Sequence, residues 1–542
     1  MGSFIVFMKK SLVLFIFFVL VFVACFDKKQ QSVVDENDKY GDMYVSASMA
    51  DAIYLNPVLA SDSASSSINS YVFNGLLKYD KDLNLVCDLA QSYEVLDNGL
   101  TILFKLKKNI LWHDGKPFTV NDVKFTYEKL TDENTRTPFS SDYLMIKKFN
   151  VIDDYTFSVQ YDEPFAPILE SWCIGIIPKH IFEKEDINNS KYNRQPIGTG
   201  QYKFNKWVTD QKIVLDANPD YYEGKPYIKQ YLFRIIPDQS VQFLELRNET
   251  IDEITLTPDQ WGAYSVFFEK YNKYDYPAFS FTFLGFNLEK EPYNNKLFRQ
   301  AINYAIDKKD IIKGVLSDKA KEANGIFPPQ SWAYKEIEPF EYNPNKALEI
   351  LQQIGFSKNS QGQLDYKGKE FEITVITNQG NKSRELSAQI IQEQLKKIGL
   401  VVNIRILEWS TFINQYVNEK KFDALILGWN TAVDPDQFSL WHSSQSGKGQ
   451  YNFMSYKNKE VDDLLVKART IFNKDKRIEY YHKIQDIMRE DPPCIFLYYP
   501  QNLIAVHKRF NNVELANAGI GWNFNKWWVD SKNRKYKNII AQ

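Results

Sequence analysis

Between residues 371 and 430 the hydrophobic pattern switches repeatedly between a two-residue and a 3.6-residue period. "FEITVITN" (371–378) alternates as a strand does. "RELSAQIIQEQLKKIG" (384–399) repeats at helical spacing, with Leu386, Ile390, Ile391, Leu395 and Ile398 on one side and Gly399 as the stop. "LVVNIRILEW" (400–409) alternates again, Val402, Ile404 and Ile406 facing together. After a short helical piece, "FDALILGW" (422–429) is an almost continuous apolar run, the pattern of a strand buried on both faces. Strand, helix, strand, helix, strand predicts a parallel sheet with right-handed crossovers. Ligands of such sheets bind in the crevice outside the carboxyl ends of the strands. The stretch "GWNTAVDPDQFSLWHSS" (428–444) begins at that end.

Upstream, "YVSASMADAIYLNPVLASD" (44–62) reads as a short strand followed by a loop of small polar residues, running into the serine cluster "SDSASSS" (61–67). Residues 78–190 are strand-rich. "TILFKLKK" places Ile102, Phe104 and Leu106 on one face, ahead of a turn in "LWHDGKPF". Thr119 then opens a helix with Asp122 at its third position, a variant of the capping box. In "PIGTGQYKFNKW" (196–207), Gly198 and Gly200 are followed by a strand where a dinucleotide site needs a helix, which excludes that site. No Walker A sequence and no fixed-period repeat occur.

From Met8 the chain has the layout of a secretory signal: Lys9 and Lys10, an apolar run from Leu12 to Val23, and Ala24 before Cys25. That run is shorter than the roughly 20 residues a spanning helix needs. "FVAC" followed by a polar stretch resembles a bacterial lipobox. The expectation is a signal peptide over 1–24, acylation of Cys25, and a lipid-anchored polar tether over 25–42. Cys87, Cys173 and Cys494 are too few and too far apart for a disulfide framework or zinc set, and read as small buried residues. A formal net charge of −2 gives no electrostatic argument for nucleic acid.

In the 428–444 stretch the carboxylates catch the eye first. Asp434-Pro435-Asp436-Gln437 has the grammar of a helix start, with Asp434 as N-cap, Pro435 at the first helical position, and Gln437 reaching back. Two acids two residues apart on one helix turn diverge, whereas a glycosidase needs two carboxyl groups facing each other across a sugar. His442 lacks an HxxxH or HExxH partner, and no GxSxG elbow occurs. No enzymatic role, metal or cofactor is expected. Gly428, Trp429, Asn430 and Thr431 remain: close backbone approach, a flat apolar wall, and uncharged donors and acceptors. They read as a recognition surface, with Trp429 as a core residue the alternative.

The chain resembles the family 5 extracellular solute-binding subunits of ABC importers, the large oligopeptide- and dipeptide-binding proteins. The resemblance rests on "LNPVLASDSASSSINSYVFNGLLKYD" (55–80), "LAQSYEVLDNGLTILFKLKKNILWHDGKPFTVNDVKFTYEKL" (89–130), "PIGTGQYKFNKWVTDQKIVLDANPDYYEGKPYI" (196–228), "LGFNLEKEPYNNKLFRQAINYAID" (284–307), the 428–444 stretch and "EDPPCIFLY" (490–498). It implies an α/β two-lobe, flytrap fold of the periplasmic-binding-protein type, with an extra middle domain, mixed sheets and two hinge crossings. Lobe I would comprise 43–77, 191–278 and 501–542, the middle domain 78–190, and lobe II 279–500. The hinges would lie near Tyr276–Thr282 and Tyr498–Gln501.

The resemblance further implies an exported, monomeric protein that binds no nucleic acid. It would be lipid-anchored at the outer face of the cytoplasmic membrane and would deliver its ligand to ABC permease and ATPase subunits. A peptide would be held through its backbone by strand-like hydrogen bonds from both lobes. Gly428 to Asn430 match the contacting segment of lobe II, with Thr431 beside it, and Ser61, Asp62 and Ser63 match the contribution of lobe I. Members that read a free amino terminus place an Asp between the Trp and the "DP" pair, where this chain has Thr431, Ala432 and Val433. Asp62 or Asp436 are then candidates for the amine, or the ligand has none at this spot. The expected ligand is an oligopeptide, with an oligosaccharide cargo or a signalling-peptide receptor role as alternatives.

Overall fold

The computed structural model describes residues 35–262 and 267–536. The leader, the lipidation site Cys25 and the first part of the tether lie outside the described residues. A twelve-stranded mixed sheet organises those that are described. One half contains Val401–Leu407, Glu372–Asn378, Ala424–Asn430 and Ser280–Phe286, in that spatial order; the other contains Glu253–Thr255, Met43–Ser48, Gln230–Ile235, Lys212–Ala217 and Tyr202–Val208.

A single long strand, Cys494–His507, joins the halves. Its first part pairs with Ser280–Phe286 and its second with Tyr271–Pro277. The chain thus crosses between the halves twice, at 277–280 and around Pro500. The crossings run side by side, with Ala278 N–H donating to the Pro500 carbonyl at 3.2 Å.

The parallel unit expected from the hydrophobic pattern is present. Glu372–Asn378 runs parallel to both Val401–Leu407 and Ala424–Asn430, and the helix Lys382–Lys397 makes the first crossover. Two details differ from the sequence pattern. The helix turns Ser387, Ala388, Ile391, Gln394 and Leu395 inward. Leu386 is 40 % exposed, lining a shallow surface depression with Gly314 and Val315 instead. Ile406 is 47 % exposed because its strand is the sheet edge. Apolar clusters cover both faces of this half-sheet, one around Phe298, Ile391 and Leu395 and one around Phe412, Trp441 and Tyr481. That double cover is why 422–429 reads as a continuous apolar run.

Residues 78–190 include a four-stranded antiparallel sheet with Thr101–Leu106 inside it. Ile102, Phe104 and Leu106 are buried, and Phe104 stacks on Phe157 with ring centroids 5.2 Å apart. This core is continuous with that of the half-sheet containing Met43–Ser48 and Gln230–Ile235, so Phe104 and Trp172 share one cluster with Tyr44 and Tyr231. Thr119 and Asp122 form the expected capping box. Gly198 and Gly200 have a packing role. A Cβ on Gly198 would lie 1.8 Å from the Val72 carbonyl oxygen, which accepts from Gly200 N–H at 2.8 Å. The glycines let the end of the Ser63–Val72 helix dock against the chain. Cys87, Cys173 and Cys494 are free thiols; Cys494 is buried and the other two only partly so.

Candidate functional site

A cavity of about 1120 Å³ lies between the two halves of the sheet, beside the crossings. One wall comes from the end of the first strand (Ser46–Ser48), the start of the Ser63–Val72 helix, and Glu253 to Pro258. The opposite wall collects the segments that follow the three parallel strands: Asn381, Ser383 and Arg384 after the first, Trp409 after the second, and Thr431 and Ala432 after the third. The carboxyl-end rule thus places the cleft where the hydrophobic pattern pointed. Around the cavity the halves are bridged. Lys382 N–H donates to Gln239 Oε1 at 3.0 Å, and Arg469 hydrogen-bonds Asp142 of the 78–190 region.

The strand Ala424–Asn430 enters this cleft with one edge free. On one side it pairs with Ser280–Phe286 as far as Asn430, whereas pairing with Glu372–Asn378 stops at Leu425. Gly428, Trp429 and Asn430 therefore present an unpartnered backbone edge beside the cavity, the requirement for adding a ligand strand. Trp429 is half-buried, packing edge-on to Tyr451 with centroids 5.0 Å apart and against Phe453 at 5.7 Å. It belongs to the wall while keeping cleft-facing surface. Among the described residues, three in the cleft hold buried polar atoms with no partner: Thr431 Oγ1, Trp409 Nε1 and Arg384 Nε. Buried polar groups are satisfied in most folded proteins, so these three are open to a ligand that enters the cleft.

The carboxylates of the 428–444 stretch do not start a helix as expected. The helical turn begins only at Phe438, after Gln437. Asp434 is held by Arg477 at 2.5 and 2.6 Å, and Asp436 by Arg469 at 2.8 Å. Burial pushes the Asp434 carboxyl up, opposed by Arg477. Sequence grammar missed both arginines because they come from two helices downstream, Lys459–Arg469 and Lys474–Glu490. His442 caps the next turn, accepting from Ser444 N–H at 3.1 Å.

Ser61 and Ser63 are exposed on the first wall; Asp62 between them is buried as the N-cap of the Ser63–Val72 helix. It accepts from Ser65 N–H at 2.9 Å and Ser65 Oγ at 2.5 Å. Both carboxylates considered for a ligand amine, Asp62 and Asp436, are thus already engaged. The remaining cleft carboxylate, Glu253, escaped sequence reasoning. Burial pushes it up to about 7, against the pull of a hydrogen bond from Tyr44. Arg384 escaped it too, although a cation in the first turn of a helix opposes the helix dipole and so marks an unusual position.

The sequence model of the bacterial extracellular solute-binding proteins, family 5, middle region, matches residues 84–451. The oligopeptide-binding protein AppA of Bacillus subtilis is 35% identical over 506 residues, covering 90% of this chain and 92% of the relative. The chain is a family 5 bacterial extracellular solute-binding protein. Among solved structures, this solute-binding protein is similar to Bacillus subtilis AppA in complex with a nonapeptide, at a TM-score of 0.87 and 33% identity over 91% of this chain and 99% of the other. It is similar also to DppA from Helicobacter pylori in complex with the peptide STSA, at 0.82, 27%, 92% and 100% respectively. A third neighbour, NikZ from Campylobacter jejuni in complex with Ni(L-His), has a TM-score of 0.80 at 29% identity, over 91% and 99%. The fold is the two-lobe binding-protein fold. No described helix is long and apolar enough to cross a membrane.

Proposed function

We propose that this protein is the capture subunit of an ABC importer and that its cargo is an oligopeptide, enclosed between the two lobes and handed to a permease. The observation that carries this reading is the free edge of the Ala424–Asn430 strand at Gly428–Asn430, opening into a cleft with walls from both halves. An extended backbone satisfies such an edge regardless of its side chains. Trp429 supplies the wall, Thr431 and Asn430 uncharged hydrogen-bonding groups, and Ser61 and Ser63 the opposing contacts. The likeness to a nonapeptide-holding structure supports the same cargo.

The crossings at Tyr276–Thr282 and Tyr498–Gln501 act as hinges, dividing the chain into 43–77, 191–278 and 501–542 on one side and 279–500 on the other, with 78–190 as the middle domain. Ligand contacting both lobes shifts the open–closed equilibrium by its differential affinity for the closed form. The protein binds without turnover, as a monomer anchored through acylated Cys25 to the outer face of the membrane, with permease and ATPase subunits as its partners. Native mass spectrometry of protein purified from its host tests this reading. Retained peptide masses are expected; retained oligosaccharide would overturn the cargo assignment.

A further inference from the structure

Outside the cleft, the 78–190 region meets the 279–500 side at a charged patch. The core of 78–190 is continuous with the half-sheet of Met43–Ser48, whereas the 279–500 side has apolar clusters of its own, so this contact is made as the halves approach. Arg469 hydrogen-bonds Asp142 and sits over the Phe165 ring at 5.1 Å. Phe139 packs edge-on to Tyr451 at 6.1 Å, and Phe472 fills the space that a Cβ on Gly99 would take. Around these contacts four carboxylates meet two guanidiniums. Asp142 and Glu170 come from 78–190; Asp434, Asp436, Arg469 and Arg477 come from the other side. Arg477 is taken by Asp434 at 2.5 and 2.6 Å, and Arg469 is shared by Asp436, at 2.8 Å, and Asp142. Among the described residues no ion pair holds Glu170, which accepts a hydrogen bond from the Tyr79 hydroxyl.

Carboxylates crowded into a partly desolvated site do not all stay ionised, and the one without a cation of its own takes up a proton. We propose that this patch is a proton-operated latch: closing the halves sets a solvent proton on Glu170, so the closed form holds its ligand more firmly in acid and lets it go as pH rises. Burial and the Asp434 charge push the Glu170 carboxyl up to about 7, against the Tyr79 hydrogen bond and the pull of Arg477. With the halves apart Asp434 and Asp436 withdraw, and an ordinary carboxylate remains. The proton's contribution to the closed form is therefore whole below the ordinary value of 4.5 and is lost as pH climbs through about 7. The other groups facing Glu170 keep their state. Burial holds Tyr79 protonated and pushes the Cys173 thiol up to about 12, and Asp434 and Asp436 keep their arginines. Lys78, beside Tyr79 on the Leu77–Tyr79 strand, pairs with Asp88 and Glu223 instead. The adjoining Ala166–Ile168 turn carries no titratable group.

This inference rests on the peptide reading, and one experiment separates the two. The protein, unfolded and refolded to strip retained ligand, is equilibrated with a tryptic digest of casein at pH 5.5, 7 and 8.5, and bound peptides are measured by ultrafiltration and mass spectrometry. Wild type is compared with Glu170→Gln, which stays neutral and still accepts from Tyr79. Titration of the digest itself and of Glu253 is common to both proteins and cancels in their ratio. The wild type is expected to bind more weakly than the variant, by a factor that grows about tenfold or more between pH 5.5 and 8.5. Tyr79→Phe removes the hydrogen bond that steadies the ionised form and should move the upper end of the wild-type profile to higher pH. A wild-type to variant ratio that stays constant with pH would overturn the latch and leave the peptide reading standing. No retained peptide at any pH, from either protein, would overturn both.

Discussion

Arg477 clasps Asp434 with two parallel hydrogen bonds, Nη1 to Oδ2 at 2.5 Å and Nη2 to Oδ1 at 2.6 Å. Both side chains are nearly buried, and the clasp ties the loop after the Ala424–Asn430 strand to the Lys474–Glu490 helix. Two residues on, Asp436 is held by Arg469, which also reaches Asp142 across the cleft side. The Ala424–Asn430 strand is thus anchored immediately downstream of its free edge.

Removing one partner of a buried pair leaves the other charged and unpaired, which costs about 3–5 kcal/mol. Arg477→Met should lower unfolding free energy by about that amount. Urea denaturation checks it. A loss below about 1 kcal/mol would place the pair among surface bridges of little consequence.

Gly198→Ala and Gly428→Ala should separate packing from recognition. At Gly198 the added Cβ meets the Val72 backbone oxygen at 1.8 Å, so the helix must move and the thermal midpoint should fall sharply. At Gly428 it meets the end of the Arg384 side chain at 2.8 Å, which can swing aside, and the Phe281 backbone oxygen at 3.2 Å, a mild crowding. That variant should lose much less of its thermal midpoint than Gly198→Ala and bind peptide more weakly. Thermal unfolding alongside peptide titration reads both.

Trp429→Ala should weaken ligand binding at least tenfold while lowering the thermal midpoint only modestly. The indole gives the fold two ring contacts, with Tyr451 and Phe453, and keeps its remaining face for the cleft. Aromatic pairs contribute about 0.5–1.5 kcal/mol each beyond their burial. Global unfolding of the variant, seen by circular dichroism, would show that Trp429 is a core residue.

Glu253 links stability to pH. Its carboxyl is raised from 4.5 to about 7 in the folded protein, chiefly by burial. The protonated form is therefore favoured by folding. This contribution is fully present below pH 4.5 and disappears as pH rises through about 7. Glu253→Gln, which stays neutral, should gain stability relative to the wild type between those values and level off above. The neighbouring tyrosines Tyr44, Tyr71 and Tyr231 stay protonated throughout, and Asp252 stays paired with Arg509. His507, lying 3.6 Å from Glu249, titrates alike in both proteins and cancels. Denaturation midpoints from pH 4.5 to 8.5 test the difference; a constant offset would contradict it.

The parallel unit, the cleft at its carboxyl ends and the uncharged wall at Gly428–Thr431 were legible in the sequence because periodicity and chain direction are local signals. The partners were not. Asp434 and Asp436 look like the cap and first turn of a helix until Arg477 and Arg469 arrive from helices more than thirty residues away, and a tertiary ion pair overrides a local capping pattern. Glu253 sits in the short strand Glu253–Thr255, too brief for alternation to show which face is buried. The exposure of Leu386 has the same origin: periodicity defines an apolar side, but the sheet below decides how much of it is covered.

The cleft is expected to capture peptide rather than sugar. Isothermal titration calorimetry of the stripped protein tests it most directly, with a mixture of tri- to nonapeptides in one series and oligosaccharides of comparable length in the other. Saturable heat is expected with the peptides and none with the sugars. Saturable heat with the sugars alone would contradict it.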